Sequence, residues 1–244
     1  MKILALDSAT EALSVALYQH GECLVRESTP VRGHGQWLLP AIDELLSEAG
    51  LRLKDLDGLA VGRGPGAFTG VRIAVSVAQG LAFATDLPIL PVSDLAALAL
   101  GAAKRAYAHG LTGSALQILA CLDARMNGLY AAWVALPATP MGIELACFDC
   151  IDEGLYSPHE LPLVGVEPVV VAGHGWVADS PLADRLGTRV LMAYPDLLPQ
   201  ARWIAALAAH QWPQGRAVAA EALLPVYLRD EVATRSTRAP GDPR

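Results

Sequence analysis

The chain has 244 residues, of which 53% are hydrophobic and 18% are charged, and its formal net charge at pH 7 is −7. This length allows one large domain or two lobes with a sizeable core, and the negative charge argues against the broad basic surface of a dedicated nucleic-acid-binding protein. Every apolar run is interrupted before it reaches membrane-spanning length, so we predict no transmembrane helix. Asp7 follows the first apolar residues too soon for a signal peptide. We therefore expect a cytoplasmic protein whose cysteines, all in predicted strands, stay reduced.

The first part of the chain predicts an antiparallel meander followed by a helix. Residues 2–7, 13–18 and 23–27 have the pattern of short strands joined by tight turns. After a polar break, apolar residues recur at helical spacing over 37–49, and the glycine that comes next is typical of a helix end. Pro40 must lie in the first turn of this helix or kink it.

A glycine-rich turn lies between a predicted strand at 59–61 and a predicted helix at 71–84. The turn could bind phosphate, because Gly62, Gly64 and Ala67 match the G-x-G-x-x-G/A spacing of the dinucleotide fingerprint. The acidic residue that this fingerprint needs about 20 positions later is missing, Pro65 removes a backbone donor, and no Walker lysine follows. We therefore interpret the turn as a tight junction that lets the helix dock closely on its sheet, with Thr69 as the expected N-cap. The residues of this turn are Gly62, Gly64, Gly66, Gly70 and Arg72.

The helix after the glycine turn has no charged residue between Arg72 and Asp86. Small residues recur every four positions and give it one smooth face. A helix that covers one side of a sheet normally has a polar outer stripe, whereas a helix that is apolar all round is buried all round. We therefore predict that another part of the chain, or another protein, covers this helix.

The second half of the chain repeats the pattern of the first. A strand at 88–92 and a helix capped by Ser93 complete the first half. The apolar strand that ends at Asp123 then repeats the sequence pattern of the strand that ends at Asp7. Self-similarity at this scale indicates a duplicated lobe rather than a solenoid. The later elements are predicted strands at 141–151, 169–172 and 188–192 and a helix at 200–211.

We divide the chain into two lobes and a tail. The N-terminal lobe, residues 1–108, carries the helices expected to bind a partner. The C-terminal lobe covers 109–230, and its last helices, at about 200–230, are free to pack back on the first lobe. The remaining residues, 231–244, are polar and proline-rich, which predicts a disordered tail.

The carboxylates that close the first strand of each lobe are the main site candidates. Carboxylates at strand ends facing a cleft suit the magnesium–nucleotide chemistry of actin-like ATPases and sugar kinases. Such enzymes need small residues after the aspartate so that backbone N–H groups reach the phosphates, and no glycine follows either aspartate here. We therefore predict a degenerate phosphate site with no catalytic residue, no metal and no cofactor. Its positions are Asp7, Ser8, Thr10 and Asp123.

Other chemistry-bearing residues lack a matching pattern. None of the six histidines forms an H-x-x-x-H pair, and no G-x-S-x-G elbow is present. Cys147 and Cys150 form a lone C-x-x-C without the second pair that a zinc ribbon needs, so we expect structural cysteines. Arg63 and Arg72 flank the glycine turn and could hold a phosphate, although a salt bridge or solvation is the commoner role.

Several of these segments together resemble one family, the bacterial TsaB (YeaZ) proteins of tRNA threonylcarbamoyladenosine biosynthesis. The most specific is 64–73, with the sequence GPGAFTGVRI. The resemblance implies an α/β fold of the actin-like (ASKHA) type, with a duplicated two-lobed architecture and mixed sheets flanked by helices. It also implies a role in placing a threonylcarbamoyl group on the adenosine beside the anticodon of tRNAs that read codons beginning with A. The other matching segments are residues 3–10, His34 ahead of 38–40, 123–125 and 225–229.

The resemblance further implies a subunit that is not itself an enzyme. TsaB-like chains pair with TsaD and activate it, and the small ATPase TsaE binds to this pair. When alone they form homodimers, and they contact tRNA only indirectly, through the complex. TsaD carries a metal-binding H-x-x-x-H, of which only His34 could correspond here, with Leu38 where the second ligand would be. Together with the uncharged helix, this predicts a partner surface on the helices at 37–46 and 71–83. Its predicted residues are Trp37, Leu38, Ile42, Leu45, Leu46, Val71, Ala74, Val75, Ala78, Leu81 and Ala82.

Two enzyme classes are the alternatives. A small-molecule kinase or ATPase of the actin-like superfamily would need glycine after Asp7 and Asp123. A dinucleotide-binding oxidoreductase would need the missing acidic residue. Tight binding of ATP or NAD by the isolated chain would favour one of these classes over an accessory subunit.

Overall fold

The computed structural model describes residues 1–29, 34–111, 114–138, 143–149 and 151–229, without the side chains of residues 34 and 35. Within these ranges the chain forms two five-stranded sheets. The first contains β1 (Lys2–Asp7), β2 (Leu13–Gln19), β3 (Glu22–Ser28), β4 (Gly58–Gly62) and β5 (Ile89–Val92). The second contains β6 (Leu116–Asp123), β7 (Leu129–Leu136), β8 (Glu153–Tyr156), β9 (Val169–Ala172) and β10 (Val190–Tyr194).

The two sheets have the same topology. The strand order is β3-β2-β1-β4-β5 in the first sheet and, listed in the same sense, β8-β7-β6-β9-β10 in the second. In each, the first three strands form an antiparallel meander, and the fourth and fifth continue the sheet in parallel from the first. This confirms the predicted duplication and the mixed sheets.

Five α-helices flank the sheets in the described ranges. They are α1 (His34–Glu48), α2 (Phe68–Thr85), α3 (Asp94–Ala108), α4 (Pro181–Leu186) and α5 (Ala201–Gln211). The outer helices α1 and α2 pack on the first sheet, against β2 and β4. The two central helices cross over: α3 follows the first sheet but packs on β6, β7 and β9, whereas α5 follows the second sheet but packs on β1 and β2.

One hydrophobic core extends through both lobes because of this crossing. It contains inward-facing residues of both sheets, such as Ile3 and Ile118, together with α3 and α5. A second core lies under α1 and α2, and a third lies on the outer side of the second sheet. The boundary after residue 108 stays a prediction, and a cut there would separate α3 from the sheet on which it packs.

Several local predictions need correction. Ala67, rather than Thr69, is the N-cap residue of α2, which begins at Phe68 and has no side-chain cap. Of the two predicted positions for Pro40, the first turn is excluded, because α1 begins at His34 and Pro40 lies inside it. The third strand of the second lobe is β8, so it starts later than the predicted 141–151. Cys147 accordingly lies in a 3₁₀ helix, Leu145–Phe148, and not in a strand.

One helix nevertheless meets the length and composition criteria for a membrane span, although Gly70, Arg72 and Gly80 interrupt its apolar run as the sequence predicts. Among the described residues, α2 is long and apolar enough to cross a membrane by length and composition alone. Its inner face is buried on β4, which accounts for part of that apolar character. The predicted tail, Cys150 and the start of the predicted strand at 141 lie outside the described residues.

Candidate functional site

A cleft of about 910 Å³ lies between the lobes, where β1 and β6 end. The β1–β2 turn and the glycine turn line one wall, and the β6–β7 turn lines the other. Glu11 Oε2 of the first wall lies 3.9 Å from His174 Nε2 of the second. Residues 216–229, which we call the C-terminal strap, run past the mouth of this cleft. The predicted positions Thr10 and Asp123 both face the cleft.

The β1–β2 turn uses its polar groups within the chain. Ala9 N donates to Asp7 Oδ1 at 2.8 Å, and Ala12 N lies 3.3 Å from Thr10 Oγ1. The Ser8 hydroxyl donates to Gly70 O at 2.7 Å, and the amide of the glycine turn at Ala67 donates to Ala9 O at 2.7 Å. In a phosphate loop these amides would point at the ligand; here they bind neighbouring carboxylate and carbonyl oxygens.

The glycine turn is a close-packed junction. A Cβ atom at Gly70 would lie 1.9 Å from Ser8 O, and one at Gly66 would lie 2.4 Å from Ala9 O. Both neighbours are backbone atoms, so they cannot move aside as a flexible side chain would. Gly62 is equally tight against the Asp94 carboxylate. The turn thus lies directly on the β1–β2 turn, over the position where a phosphate loop would have to stay open.

Asp7 forms a buried pair with Asp94, which begins α3. Both side chains are completely buried and hydrogen-bond to each other, and Asp94 also accepts the backbone N–H of Gly64. Asp7 Oδ2 and Asp94 Oδ1 are buried without a hydrogen-bond donor. Burial raises the pKa of Asp7 to about 6, and burial together with the Asp7 charge raises the pKa of Asp94 well above the usual carboxylic range. A proton shared by the two carboxyl groups satisfies both oxygens.

The β6–β7 turn has a very different conformation. Three consecutive residues, Arg125, Met126 and Asn127, have positive φ angles of 64°, 51° and 57°. Such angles are costly for residues with a side chain. The Asp123 carboxylate holds the turn by accepting the backbone N–H of Arg125 at 2.8 Å and its guanidinium at 3.2 Å. Unlike Asp7, Asp123 is exposed to the cleft.

The C-terminal strap joins this turn to the first lobe. Arg229 Nη2 donates to Ala124 O and Arg125 O, both at 3.1 Å. Two residues earlier, the Tyr227 hydroxyl accepts from Arg72 Nε at 2.6 Å, and its ring centroid lies 5.4 Å from that of Phe68. The Arg72 guanidinium lies 3.7 Å from the Phe68 ring centroid.

An ion pair also connects the lobes. Arg63 Nη1 lies 3.0 Å from Glu153 Oε2, and the Glu153 side chain is only 7% exposed. Arg63 is therefore salt-bridged rather than free to hold a phosphate. Neither Glu153 nor Asp94 was predicted as a site residue, although Asp94 is the lone charge between Asp86 and Lys104. That isolated carboxylate in an apolar stretch is the signal that sequence inspection could have used.

Most of the predicted partner residues lie in the core of the first lobe. They face the chain's own sheet, so they cannot form a surface for a partner while the lobe is folded. Only Trp37 and Leu81 of that set are partly exposed. The residues that the structure buries are Leu38, Ile42, Leu45, Leu46, Val71, Ala74, Val75, Ala78 and Ala82.

The other side of α2 is open and apolar. Phe83 is 84% exposed, Ser76, Gly80 and Ala84 are exposed, and Ile73, Val77 and Leu81 are half-buried. We call these seven residues the α2 outer face. The sequence-based expectation that the whole helix is buried therefore holds within this chain only for the face toward β4.

Within the described ranges, the structure brings together no three histidine, cysteine or acidic side chains that could hold a metal. The His34 side chain lies outside those ranges.

Comparisons with known proteins agree with this architecture. A family model described as TsaD, tRNA N6-adenosine threonylcarbamoyltransferase, matches residues 28–149. A tRNA threonylcarbamoyladenosine biosynthesis protein TsaB from Haemophilus influenzae is 37% identical over 235 residues, which cover 95% of each chain. The solved structure of YeaZ from Pseudomonas aeruginosa matches with a TM-score of 0.77 and 39% identity, over 93% of this chain and 99% of that one. A transferase from Paracoccus denitrificans is 49% identical over 69 residues, 28% of this chain and 19% of that enzyme.

Proposed function

Because this chain belongs to the TsaB family of tRNA threonylcarbamoyladenosine biosynthesis proteins, we propose that it is a non-catalytic subunit that pairs with TsaD and activates it. In this proposal the complex forms N6-threonylcarbamoyladenosine beside the tRNA anticodon in the cytoplasm. TsaE joins the pair, and the same surface forms a homodimer when TsaD is absent. The chain itself supplies no catalytic residue.

The α2 outer face is the observation that carries this proposal. It has no charged side chain, and Phe83, near the end of the helix, is almost fully exposed. Covering one such large apolar side chain stabilises a complex by roughly 1.5–3 kcal/mol. Exposed apolar patches of this kind mark protein–protein interfaces. The partner surface we propose is therefore the side of α2 that faces away from β4, and not the small-residue side predicted from the sequence.

The cleft supports an accessory role more than that of a kinase or ATPase. The Ala9 and Ala67 amides bind oxygens of the chain itself. Asp7 is buried against Asp94, where it cannot reach a magnesium ion in the cleft. The glycine turn is packed so closely on the β1–β2 turn that a Cβ atom at Gly66 or Gly70 would collide with its backbone oxygens.

Gly80→Arg tests the interface without disturbing the fold. Gly80 is exposed on the α2 outer face, and a Cβ atom there meets nothing within 4 Å. We expect the arginine to abolish co-elution with purified TsaD in size-exclusion chromatography and to abolish tRNA modification in the reconstituted system. The far-UV circular dichroism of the variant alone should show undiminished helix content, because arginine is a better helix former than glycine.

Gly80→Ala is the matched control, since it changes the helix in the same place without adding bulk or charge. It should pair with TsaD and support modification as the wild type does. Normal pairing of the Gly80→Arg protein would show that TsaD binds another surface. Efficient tRNA modification by TsaD and TsaE without this chain would refute the activating role itself.

A further inference from the structure

Two aromatic rings and two arginines form a cluster at the mouth of the cleft. Phe68 and Tyr227 are 46% and 43% exposed, so each ring retains an open surface beside the other. Arg72 lies over the Phe68 ring and donates to the Tyr227 hydroxyl, and Arg229 follows Tyr227 along the strap. We call Phe68, Arg72, Tyr227 and Arg229 the aromatic–arginine rim.

The two arginines of the rim are not ion-paired to the acids that line the cleft, since Glu11 lies beside His174 and Asp123 beside Arg125. Among the residues that the structure describes, no carboxylate lies within ion-pair distance of Arg72 or Arg229. Arg229 reaches only carbonyl oxygens and the Met126 sulfur. The rim is thus locally basic on a chain whose formal net charge is −7.

The opposite side of the cleft mouth is held in a costly conformation. The β6–β7 turn places its three positive-φ residues there, and Arg229 and Asp123 fix it in position. As a result Arg125 and Met126 project from the turn, with the Arg125 side chain 87% exposed and Met126 77% exposed. Strained backbone that the surrounding structure maintains is concentrated at functional sites.

We propose that the aromatic–arginine rim binds single-stranded RNA directly. An unstacked base lies against Phe68 and Tyr227 at the entrance of the cleft, and neighbouring phosphates lie at Arg72 and Arg229. Stacking on aromatic rings or guanidinium planes is how proteins hold splayed-out bases of RNA loops. The cleft behind the rim, at about 910 Å³, has room for such a base.

This inference rests on the proposed function, because the RNA it implies is the tRNA that the complex modifies. The proposed direct contact between this chain and tRNA differs from the sequence-based expectation that the chain contacts tRNA only indirectly, through the complex. A few arginines beside aromatic rings give a local contact, and the acidic remainder of the chain leaves most of the phosphate contacts to the partner. An acidic protein segment is the competing occupant, and the experiment separates the two.

The test measures RNA binding by the complete complex with TsaD. Fluorescence anisotropy monitors the unmodified anticodon stem-loop of a tRNA that reads codons beginning with A, over a series of salt concentrations. We expect Arg72→Gln to weaken binding about fivefold and to reduce the slope of log K against log salt concentration by about 1. Tyr227→Leu should weaken binding at least about fivefold, because the base loses an aromatic surface.

Arg52→Gln, which alters an exposed arginine outside the rim, is the control and should bind RNA as the wild type does. The change in salt dependence separates lost phosphate contacts from a general structural defect, which thermal unfolding of each variant also checks. Unchanged RNA affinity in both rim variants would overturn the inference, while continued TsaD pairing and tRNA modification would leave the proposed function standing. Loss of TsaD pairing by the rim variants would assign the rim to a protein partner and equally overturn the inference.

Discussion

The two lobes share one sheet topology but differ at the turn between their first two strands. In the first lobe the β1–β2 turn is covered by the glycine turn, and its aspartate is buried against Asp94. In the second lobe the β6–β7 turn is open to the cleft, and its aspartate holds a strained loop. The two lobes therefore share one framework, while the turn after the first strand takes two unrelated conformations.

The lobes also differ in the helix that comes after the fourth strand. Each has a glycine pressed against the first strand or its turn: Gly70 against Ser8 O in the first lobe and Gly173 against Cys121 O in the second. The first lobe continues into the 18-residue helix α2, whereas the second has only the six-residue α4. Within the part of the chain that the structure describes, the exposed apolar face of α2 therefore has no counterpart of similar length in α4. This asymmetry favours the first lobe as the site of the proposed TsaD interface.

Gly70→Ala should have the largest effect, because it breaks the covered turn of the first lobe. The added Cβ would lie 1.9 Å from the backbone oxygen of Ser8, so β1 and α2 must separate. We expect the free energy of unfolding in urea to fall by about 3 kcal/mol or more.

Gly80→Ala, on the same helix, should instead raise the free energy of unfolding by up to about 1 kcal/mol. A Gly70→Ala protein as stable as the wild type would mean that the close packing of the glycine turn does not determine the stability of this lobe.

Asp94→Asn should have the next largest effect, and it depends on pH. Because the pKa values of Asp7 and Asp94 are raised, the folded protein holds a proton that the unfolded chain releases above about pH 4. Stability therefore falls as pH rises from about 4 through 6 and beyond. An asparagine at 94 donates to Asp7 without a titrating proton. We expect the variant to exceed the wild type in stability at pH 8 by on the order of 2–3 kcal/mol, with the difference shrinking toward pH 5.

Asp123→Asn provides the comparison from the second lobe. Asp123 is exposed and lies beside the Arg125 guanidinium rather than another carboxyl group, so this variant keeps the buried Asp7–Asp94 pair and should keep the loss of stability that the pair causes as pH rises. Parallel profiles for Asp94→Asn and the wild type, measured by chemical unfolding at several pH values, would exclude the shared proton.

Met126→Gly should have the smallest effect and should be stabilising. Met126 has a φ of 51° and a largely exposed side chain, so glycine relieves backbone strain and removes little packing. The gain should be about 0.5–1 kcal/mol after allowing for the greater freedom of glycine in the unfolded chain. The matched change Ala9→Gly in the first-lobe turn should lower stability, since Ala9 is buried and has a negative φ. A loss of stability in Met126→Gly would show that the loop is held by its side chain.

The fold was largely predictable from the sequence because its signals are local. Alternating and continuous apolar runs predicted the strands. The similarity between the segment that ends at Asp7 and the one that ends at Asp123 indicated the duplication. Ser93 does cap α3, by accepting the N–H of Ala96. The orientation of α2 was not predictable, because a helix with apolar residues on all sides gives no indication of which face meets the sheet. Small residues proved to mark the buried face, where the backbone of α2 must approach β4.

The arrangement of side chains around the cleft could not be predicted, because it depends on contacts between residues that are distant in the sequence. Asp7 and Asp94 are separated by most of the first lobe, and Arg229 reaches a turn more than a hundred residues earlier. Sequence spacing does not carry such information. The resemblance to TsaB proteins identified the 225–229 segment as important, but only the coordinates show that it connects Arg72 with the β6–β7 turn.

The crossing of α3 and α5 has a consequence for synthesis on the ribosome. The inner side of the first sheet, including Ile3, Ala5 and Ala16, is covered by α5, which is translated only after residue 200. When α3 emerges, the sheet on which it packs has not yet been made. Nascent chains that contain only the first lobe therefore expose the inner side of the first sheet and the apolar surface of α3, and the shared core can form only after α5 has been translated.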